Sequence, residues 1–407
     1  MSFPLNPQQL AAVRHVDGPL LVLAGAGSGK TRVITAKIAH LIESGIDAKH
    51  IAAITFTNRA AKEMQTRADK LIPGKQGSGL TVCTFHSLGH RIARSEAPHL
   101  KLKPTFSIFD SGDVEQVIAE IVKSSDRSEA RKAQWQISKW KNALMGPADA
   151  MRAAETDQEA QWAKVYEAYV LSLGAYQAVD FDDLLVLPVR LFDNEPARLE
   201  VWRDRIRYLL IDEYQDTNAA QYRLLQLLAG TGREARAAFT AVGDDDQAIY
   251  GWRGASADNI ARLATDFPQL TVIKLEQNYR SSIRILRSAN HVIANNRKLF
   301  DKKLWSEHGL GDALQVIACP DDEQEAETSS ARSRRTSSRS GRSSLTTRSS
   351  IAATIRRASS SRRCARRTCR TPCRAAPRCS SAPRSRTCCR TFACSSTKTT
   401  IPLSSAQ

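Results

Sequence analysis

The chain has 407 residues, which excludes a disulfide-held mini-protein and gives room for two or three domains of roughly 150 residues each. Its formal charge of +17 suggests a nucleic-acid binder, but residues 329–407 hold 18 Arg, one Lys and no acid, while everything before them has 40 basic against 42 acidic residues. The body is nearly neutral, so its function must be read from placed residues rather than from bulk charge. Cysteine divides the same way, with Cys83 and Cys319 in the body and seven more between Cys364 and Cys394. So few thiols in the body fit a reducing compartment. The N-terminus, MSFPLNPQQL, lacks a basic segment followed by an apolar one, and the apolar run Pro19 to Ala26 is too short to span a bilayer. A cytoplasmic protein with no membrane attachment is expected.

In chain order, short apolar runs predict buried parallel strands at Leu20 to Ala24, Ile51 to Thr55, Leu80 to Thr84, Tyr208 to Ile211, Phe239 to Val242 and Thr271 to Leu275. Between the first two lies VITAKIAHLIESG, whose Val33, Ile34, Ala36, Ile38, Leu41 and Ile42 form one apolar helical face and whose Gly45 can end the helix. That is a βαβ unit. From about Phe106 to Asp180 the pattern turns helical, with Val114, Val117, Ile118, Ile121 and Val122 at spacings of three and four residues. The simplest architecture is a doubly wound parallel α/β sheet interrupted by an inserted helical subdomain. After Thr328, Ser and Arg dominate with almost no apolar periodicity, a composition that cannot offset its ordering entropy, so 329–407 is expected to be a disordered tail. Its 18 Arg to one Lys and its seven Cys suit an out-of-frame reading of a GC-rich gene; the rival account is a genuine Arg/Ser-rich binding arm.

Ligands of such sheets bind beyond the carboxyl ends of the strands. AGAGSGKT, following the first strand and opening a helix, reads as a phosphate loop, although the strict pattern begins with Gly where this chain has Ala24. Ala24, Gly25, Ala26, Gly27, Ser28 and Gly29 would wrap phosphates with backbone N–H groups, Lys30 would reach the terminal phosphates, Thr31 would ligate Mg²⁺, and Arg32 completes the candidate ATP contacts. Asp212 and Glu213 end another strand. Alone, such a pair is more often a solvated turn; beside a phosphate loop, Asp212 is expected to hold the metal and Glu213 to orient or deprotonate the attacking water. Rings beside polar residues after other strands suggest contacts to single-stranded DNA: Phe56 with Thr57 and Asn58, Phe85 with His86, Phe181, and Tyr250 with Trp252 and Arg253. Some of these rings can equally be core, Phe85 first among them and Trp252 last, and His86 can be a structural histidine. Cys83 and His86, with no second pair nearby in the sequence, give little reason to propose zinc.

LNPQQLAAV, AGAGSGKT, TFTNRAAKEM, TFHS, DFDDLL, DEYQDTN, VGDDDQAIYGWRGA and LEQNYRSS occur in the order found in the UvrD/Rep family of superfamily 1 DNA helicases. The chain resembles that family from Leu5 to Ser282, and more weakly to about Glu327. The resemblance implies that Gln9 reads the adenine, Tyr279 stacks on the base, Gln247 senses the terminal phosphate and Arg280 is an arginine finger. It also implies RecA-like lobes. Residues 1–105 and 186–275 would form the ATP-binding lobe, 106–185 the inserted subdomain and 276–328 the start of a second lobe. The implied activity is ATP-driven movement 3′ to 5′ on single-stranded DNA with unwinding of forked or tailed duplexes, in replication or repair. Partners would be replication or repair proteins, the state a monomer or weak homodimer, and the location the nucleoid. The alternative is a truncated fragment that binds ATP and DNA without unwinding. A P-loop kinase would share AGAGSGKT but leave the aromatic motifs unexplained.

Overall fold

The computed structural model describes residues 5–74, 76–123, 127–231, 238–251, 254–255, 258–296 and 300–329. Met1–Leu314 form one compact unit. Gln315–Gln407 form a second, within which residues 322–329 are helical. The rest of the expected tail lies outside the described residues, as do Trp252 and Arg253.

The chain begins with α1 (Pro7–Arg14), β1 (Leu20–Ala24) and α2 (Lys30–Glu43), followed by β2 (Ile51–Thr55), α3 (Asn58–Leu71), β3 (Thr81–Thr84) and α4 (Phe85–Ser95). Gly45 takes the left-handed conformation just past α2, the stop expected of it. Next come β4 (Ser107–Ile108), α5 (Ser111–Val122), α6 (Arg127–Asn142), α7 (Pro147–Arg152), α8 (Asp157–Tyr176) and β5 (Ala178–Val179). The lobe then resumes with α9 (Asp183–Asn194), α10 (Pro196–Arg205), β6 (Tyr208–Ile211), α11 (Ala219–Ala229), β7 (Ala238–Gly243), α12 (Asp258–Asp266), β8 (Thr271–Leu275) and α13 (Ile283–Ile293).

Six strands make one sheet in the order β3-β2-β6-β7-β1-β8, and every pairing is parallel. These are the six runs read from the sequence. Side chains alternate across the sheet: Leu21, Leu23, Ile54, Leu209, Ile211 and Phe239 pack on one face, Leu20, Val22, Ala53, Tyr208, Leu210 and Val242 on the other. Both faces are covered by helices, which is why the strands read as unbroken apolar runs. Each fully buried Leu or Val of these layers contributes about 1.5–3 kcal/mol. Because all six strands run the same way, their carboxyl ends form one edge.

The helical block has its own core, in which Ile118, Ile137, Trp140, Tyr166 and Tyr169 are buried together. The chain enters and leaves it side by side, through the parallel pair β4–β5. At its exit, buried Lys141 donates to Asp180 and Asp183, each at 2.7 Å, and Tyr169 donates to Asp180 at 2.9 Å. Burial opposes the Lys141 charge, but the two carboxylates overcome it and raise its pKa.

Candidate nucleotide and DNA site

Ala24 is the last residue of β1, paired with Leu275 and wholly buried, so the departure from Gly falls on a strand residue rather than on the loop. The loop's conformational demands lie at Gly27 and Gly29, with φ of +79° and +91°. A side chain at Gly29 would also meet Gln9, 2.8 Å from its Nε2. Ser28 closes the loop on itself, its Oγ donating to the Gly25 carbonyl at 2.8 Å. Lys30 and Thr31 open α2, at the helix end whose dipole favours an anion.

Lys30 Nζ donates to Glu213 Oε2 at 2.8 Å, which joins the glycine-rich loop to the end of β6. Glu213 sits at φ +51°, a left-handed turn that swings its side chain away from the strand's direction. Gln215 anchors it: this buried amide donates to Glu213 Oε2 at 2.9 Å and accepts from the Asp244 backbone N–H at 3.0 Å. Burial and the Glu213 carboxylate push Asp212 up to about 6, against the pull of Lys30. The same two causes raise Asp216 to about 6, and Asp216 Oδ1 is buried without a hydrogen-bond partner.

Beyond β7, Gln247 donates to Asp244, so the expected phosphate sensor is held by its own turn. Asp244, Asp245 and Asp246 cluster as a metal site could, but Lys302 lies among all three, bonded to Asp246 at 2.9 Å and also to Asp244 and Asp245. The protein supplies that cation itself. Burial disfavours the Lys302 charge, yet these carboxylates raise its pKa.

Gln9 is buried against the loop, donating to the Ser28 carbonyl at 2.8 Å and accepting from the Asn6 N–H at 3.1 Å. Its amide therefore serves the α1 cap and the loop together. Asn6 Nδ2 reaches the Tyr279 hydroxyl at 2.9 Å and Gln277 Oε1 at 3.0 Å, and the Tyr279 N–H donates to the Gly27 carbonyl at 2.9 Å. Gln9 and Tyr279 thus flank the same loop, with the Tyr279 ring exposed. Exposed Arg280 follows, its turn fixed by Asn278, which accepts from the Arg280 and Ser281 N–H groups at 2.8 Å and donates to the Ala26 carbonyl. The side chain of Arg32 is half-buried on the first turn of α2.

The rings beyond β2 and β3 divide. Phe85 is only 3% exposed and belongs to the main core, so its face is closed to a base. Half-buried Phe56 meets it edge-on, with ring centroids 6.3 Å apart. Thr57 caps α3 by accepting from the Ala60 N–H at 3.1 Å, and Asn58 beside it is exposed. His86 stacks on Phe181 with centroids 4.1 Å apart and 23° between planes, and Phe181 is 58% exposed. Burial lowers His86 to about 4, which leaves a neutral ring at physiological pH. Tyr250, seven residues past β7, is exposed.

Gln215, Asn278, Lys302 and Asn6 went unread in the sequence. Gln215, Asn278 and Asn6 had a signal, as members of the quoted segments DEYQDTN, LEQNYRSS and LNPQQLAAV; Lys302 had none.

No helix among the described residues is long and apolar enough to cross a membrane. The family model for the UvrD/REP helicase N-terminal domain matches residues 5–268, and that for the UvrD-like helicase C-terminal domain matches 273–361. The second match runs past Thr328, where the sequence reading ended its likeness. "ATP-dependent DNA helicase Rep" of Salmonella typhimurium is 49% identical over 327 residues, covering 79% of this chain and 48% of that protein. The Rep protein of Escherichia coli gives the same figures. "ATP-dependent DNA helicase PcrA" of Staphylococcus epidermidis is 42% identical over 328 residues, covering 79% of this chain and 44% of that one. The chain thus spans about half the length of the curated relatives it matches. A parallel sheet with its glycine-rich loop tied to an acidic strand end, and a family model that covers most of the chain, place this protein in the UvrD/REP helicase family.

Proposed function

We propose that this chain is an ATP-hydrolysing DNA translocase that moves 3′ to 5′ on single-stranded DNA and opens forked or tailed duplexes. The observation that carries the reading is the Lys30–Glu213 contact, which sets the phosphate-binding cation against the group that would handle the attacking water. A triphosphate in the loop competes with Glu213 for Lys30, and the released carboxylate, still held by Gln215, can take a proton from water. Gln247 and Arg280 complete the phosphate contacts, Gln9 and Tyr279 those to the base.

The residues present fit a divalent cation. Asp212, Glu213 and the unpartnered oxygen of Asp216 leave an excess of negative charge that Lys30 alone offsets. Thr31 and Asp212 would hold Mg²⁺, which neutralises charge on phosphate oxygens when bound. We assign Phe56, Thr57, Asn58, His86, Phe181 and Tyr250 to the DNA path. Trp252 and Arg253, two and three positions after Tyr250 in the sequence, belong to the same proposal. The division into an ATP-binding lobe (1–105 and 186–275), an inserted subdomain (106–185) and the start of a second lobe (276–328) is supported by the separate core of the helical block. Replication or repair proteins as partners, a monomer or weak homodimer, and a place at the nucleoid complete the reading.

The test uses the full chain with ATP, Mg²⁺ and duplexes carrying a 3′ or a 5′ tail. Hydrolysis stimulated by single-stranded DNA, with displacement only from the 3′-tailed duplex, supports the proposal. Binding of both ligands without displacement favours the second reading, a nucleotide- and DNA-binding fragment, which the half-length coverage of the relatives keeps in view.

A further inference from the structure

Asn142, the last residue of α6, lies where three functional segments meet. Its Oδ1 accepts from Asn218 Nδ2 at 2.5 Å, and its Nδ2 donates to Asp182 Oδ1 at 2.9 Å and to the Ser138 carbonyl at 2.8 Å. The orientation of each amide is fixed by its neighbour. Asp182 only accepts when ionised, so Nδ2 of Asn142 faces it; Asn218 Oδ1 accepts from the Gln221 N–H at 2.9 Å at the start of α11, which leaves its Nδ2 for Asn142. The result is a one-way chain of donors from α11 through two side chains to a carboxylate, the arrangement in which each bond strengthens the next.

Each end of this chain belongs to a site already described. Asn218 closes the turn that starts at Asp212 and Glu213, and Asn259 holds that turn through the Thr217 carbonyl at 2.8 Å. Asp182 follows Phe181, the exposed ring stacked on His86. The third segment is the loop beyond Tyr250: Asn218 bridges to Ala255, and a Cβ on Gly254 would lie 4.0 Å from that of Asn142. Through this one side chain the inserted helical block therefore bonds to Asn218, at the end of the turn that carries Asp212 and Glu213, and to Asp182, the residue after Phe181, while Gly254, beyond Tyr250, lies beside it.

We propose that Asn142 is a positioning residue that couples the Asp212–Glu213 turn to the DNA-facing residues at Phe181 and Tyr250. The proposal rests on the reading of the chain as a nucleotide- and DNA-binding motor. Its content is thermodynamic: nucleotide in the loop changes the affinity for single-stranded DNA, and by reciprocity DNA changes the affinity for nucleotide by the same factor. Spatial intermediacy alone does not establish coupling, so that factor is what must be measured.

Single-stranded DNA affinity of the full chain is measured by anisotropy at fixed salt, with and without a non-hydrolysable ATP analogue and Mg²⁺. The wild-type ratio is expected to be about fivefold or more. Asn142→Asp keeps the size and the acceptor for Asn218 but sets a second carboxylate against Asp182. It should bring the ratio close to one while each ligand, measured alone, binds within about twofold of wild type. Adding Asp182→Asn restores one donor facing one acceptor and should restore the ratio, a rescue that a merely structural role would not give. Should Asn142→Asp fail to fold, Asn142→Ser, too short to reach both partners, serves the same comparison. A ratio unchanged in the variants overturns the proposal, as does a wild type that binds both ligands with a ratio of one. A wild type that binds neither ligand rejects the proposed function instead.

Discussion

The carboxyl ends of β1, β6 and β7 carry charge and amides, whereas those of β2 and β3 carry rings. Lys30, Asp212, Glu213 and Gln247 stand in the first group; Phe56, Phe85 and His86, with Phe181 laid over it, stand in the second. β6 and β2 are neighbours, so the border between the two chemistries is a single strand spacing wide. One parallel sheet thus offers two unlike surfaces on one edge, and the first few residues beyond each strand decide which surface appears. The charged half stores tension in its pKa values, with two carboxyls held near 6. The aromatic half is electrostatically quiet, its histidine lowered to about 4 and therefore neutral.

The contrast breaks most severely at Glu213. Glu213→Gln keeps the size and loses the charge, and hydrolysis should fall about a hundred- to ten-thousandfold with analogue binding retained, as read by single-turnover kinetics. Equal rates would move the water-handling group elsewhere. Lys30→Ala comes next: removing the cation that would face the terminal phosphates should weaken binding of a fluorescent ATP analogue by about 2–5 kcal/mol, and unchanged affinity would reject the phosphate-loop reading.

Asp212 tests whether charge on this edge opposes stability. Its folded pKa of about 6 lies above the ordinary 3.8, so the native state binds the extra proton between those values. The carboxyl is therefore harmless below about pH 4, and its cost is complete above pH 6. Asp212→Asn should accordingly raise stability by about 3 kcal/mol at pH 8, and urea titrations should show the gain vanishing toward pH 4, while hydrolysis is lost. A gain that persists at pH 4 would point to packing instead. On the aromatic half the effect is smallest. Phe181→Ala leaves His86 as a ring and should weaken single-stranded DNA binding by about 1 kcal/mol with little dependence on base sequence. A series of salt concentrations separates this loss from binding by the 19 basic residues of 329–407.

All six sheet strands and the glycine-rich turn between β1 and α2 were legible because burial on both faces and left-handed glycines impose strong local patterns. The pair β4–β5 was not, since two-residue strands carry no periodicity. Phe85 could be ranked as the ring nearest to core, yet only packing shows its closed face. Gln9 was read as a base contact and its part in the helix cap was missed, although Asn6 followed by Pro7 and, three residues on, Gln9 is the spacing of a capping box; its bond to the Ser28 carbonyl carried no such signal. Asn142 carried no signal at all: it ends a helix in no quoted motif, and its partners lie 40 and 76 positions away.

The β4–β5 pair makes the helical block a cassette. Its entry and exit lie one strand spacing apart, so the gap left by removing residues 107–179 is about 11 Å and four residues would close it. Connection is modular, but charge is not. Excision of 107–179 would take Lys141 from Asp180 and Asp183, which lie just past the cut and stay behind, and leave two carboxyls without their cation. A graft of this block onto another lobe must therefore carry its acceptors with it, and a lobe stripped of the block would need Asn at both positions.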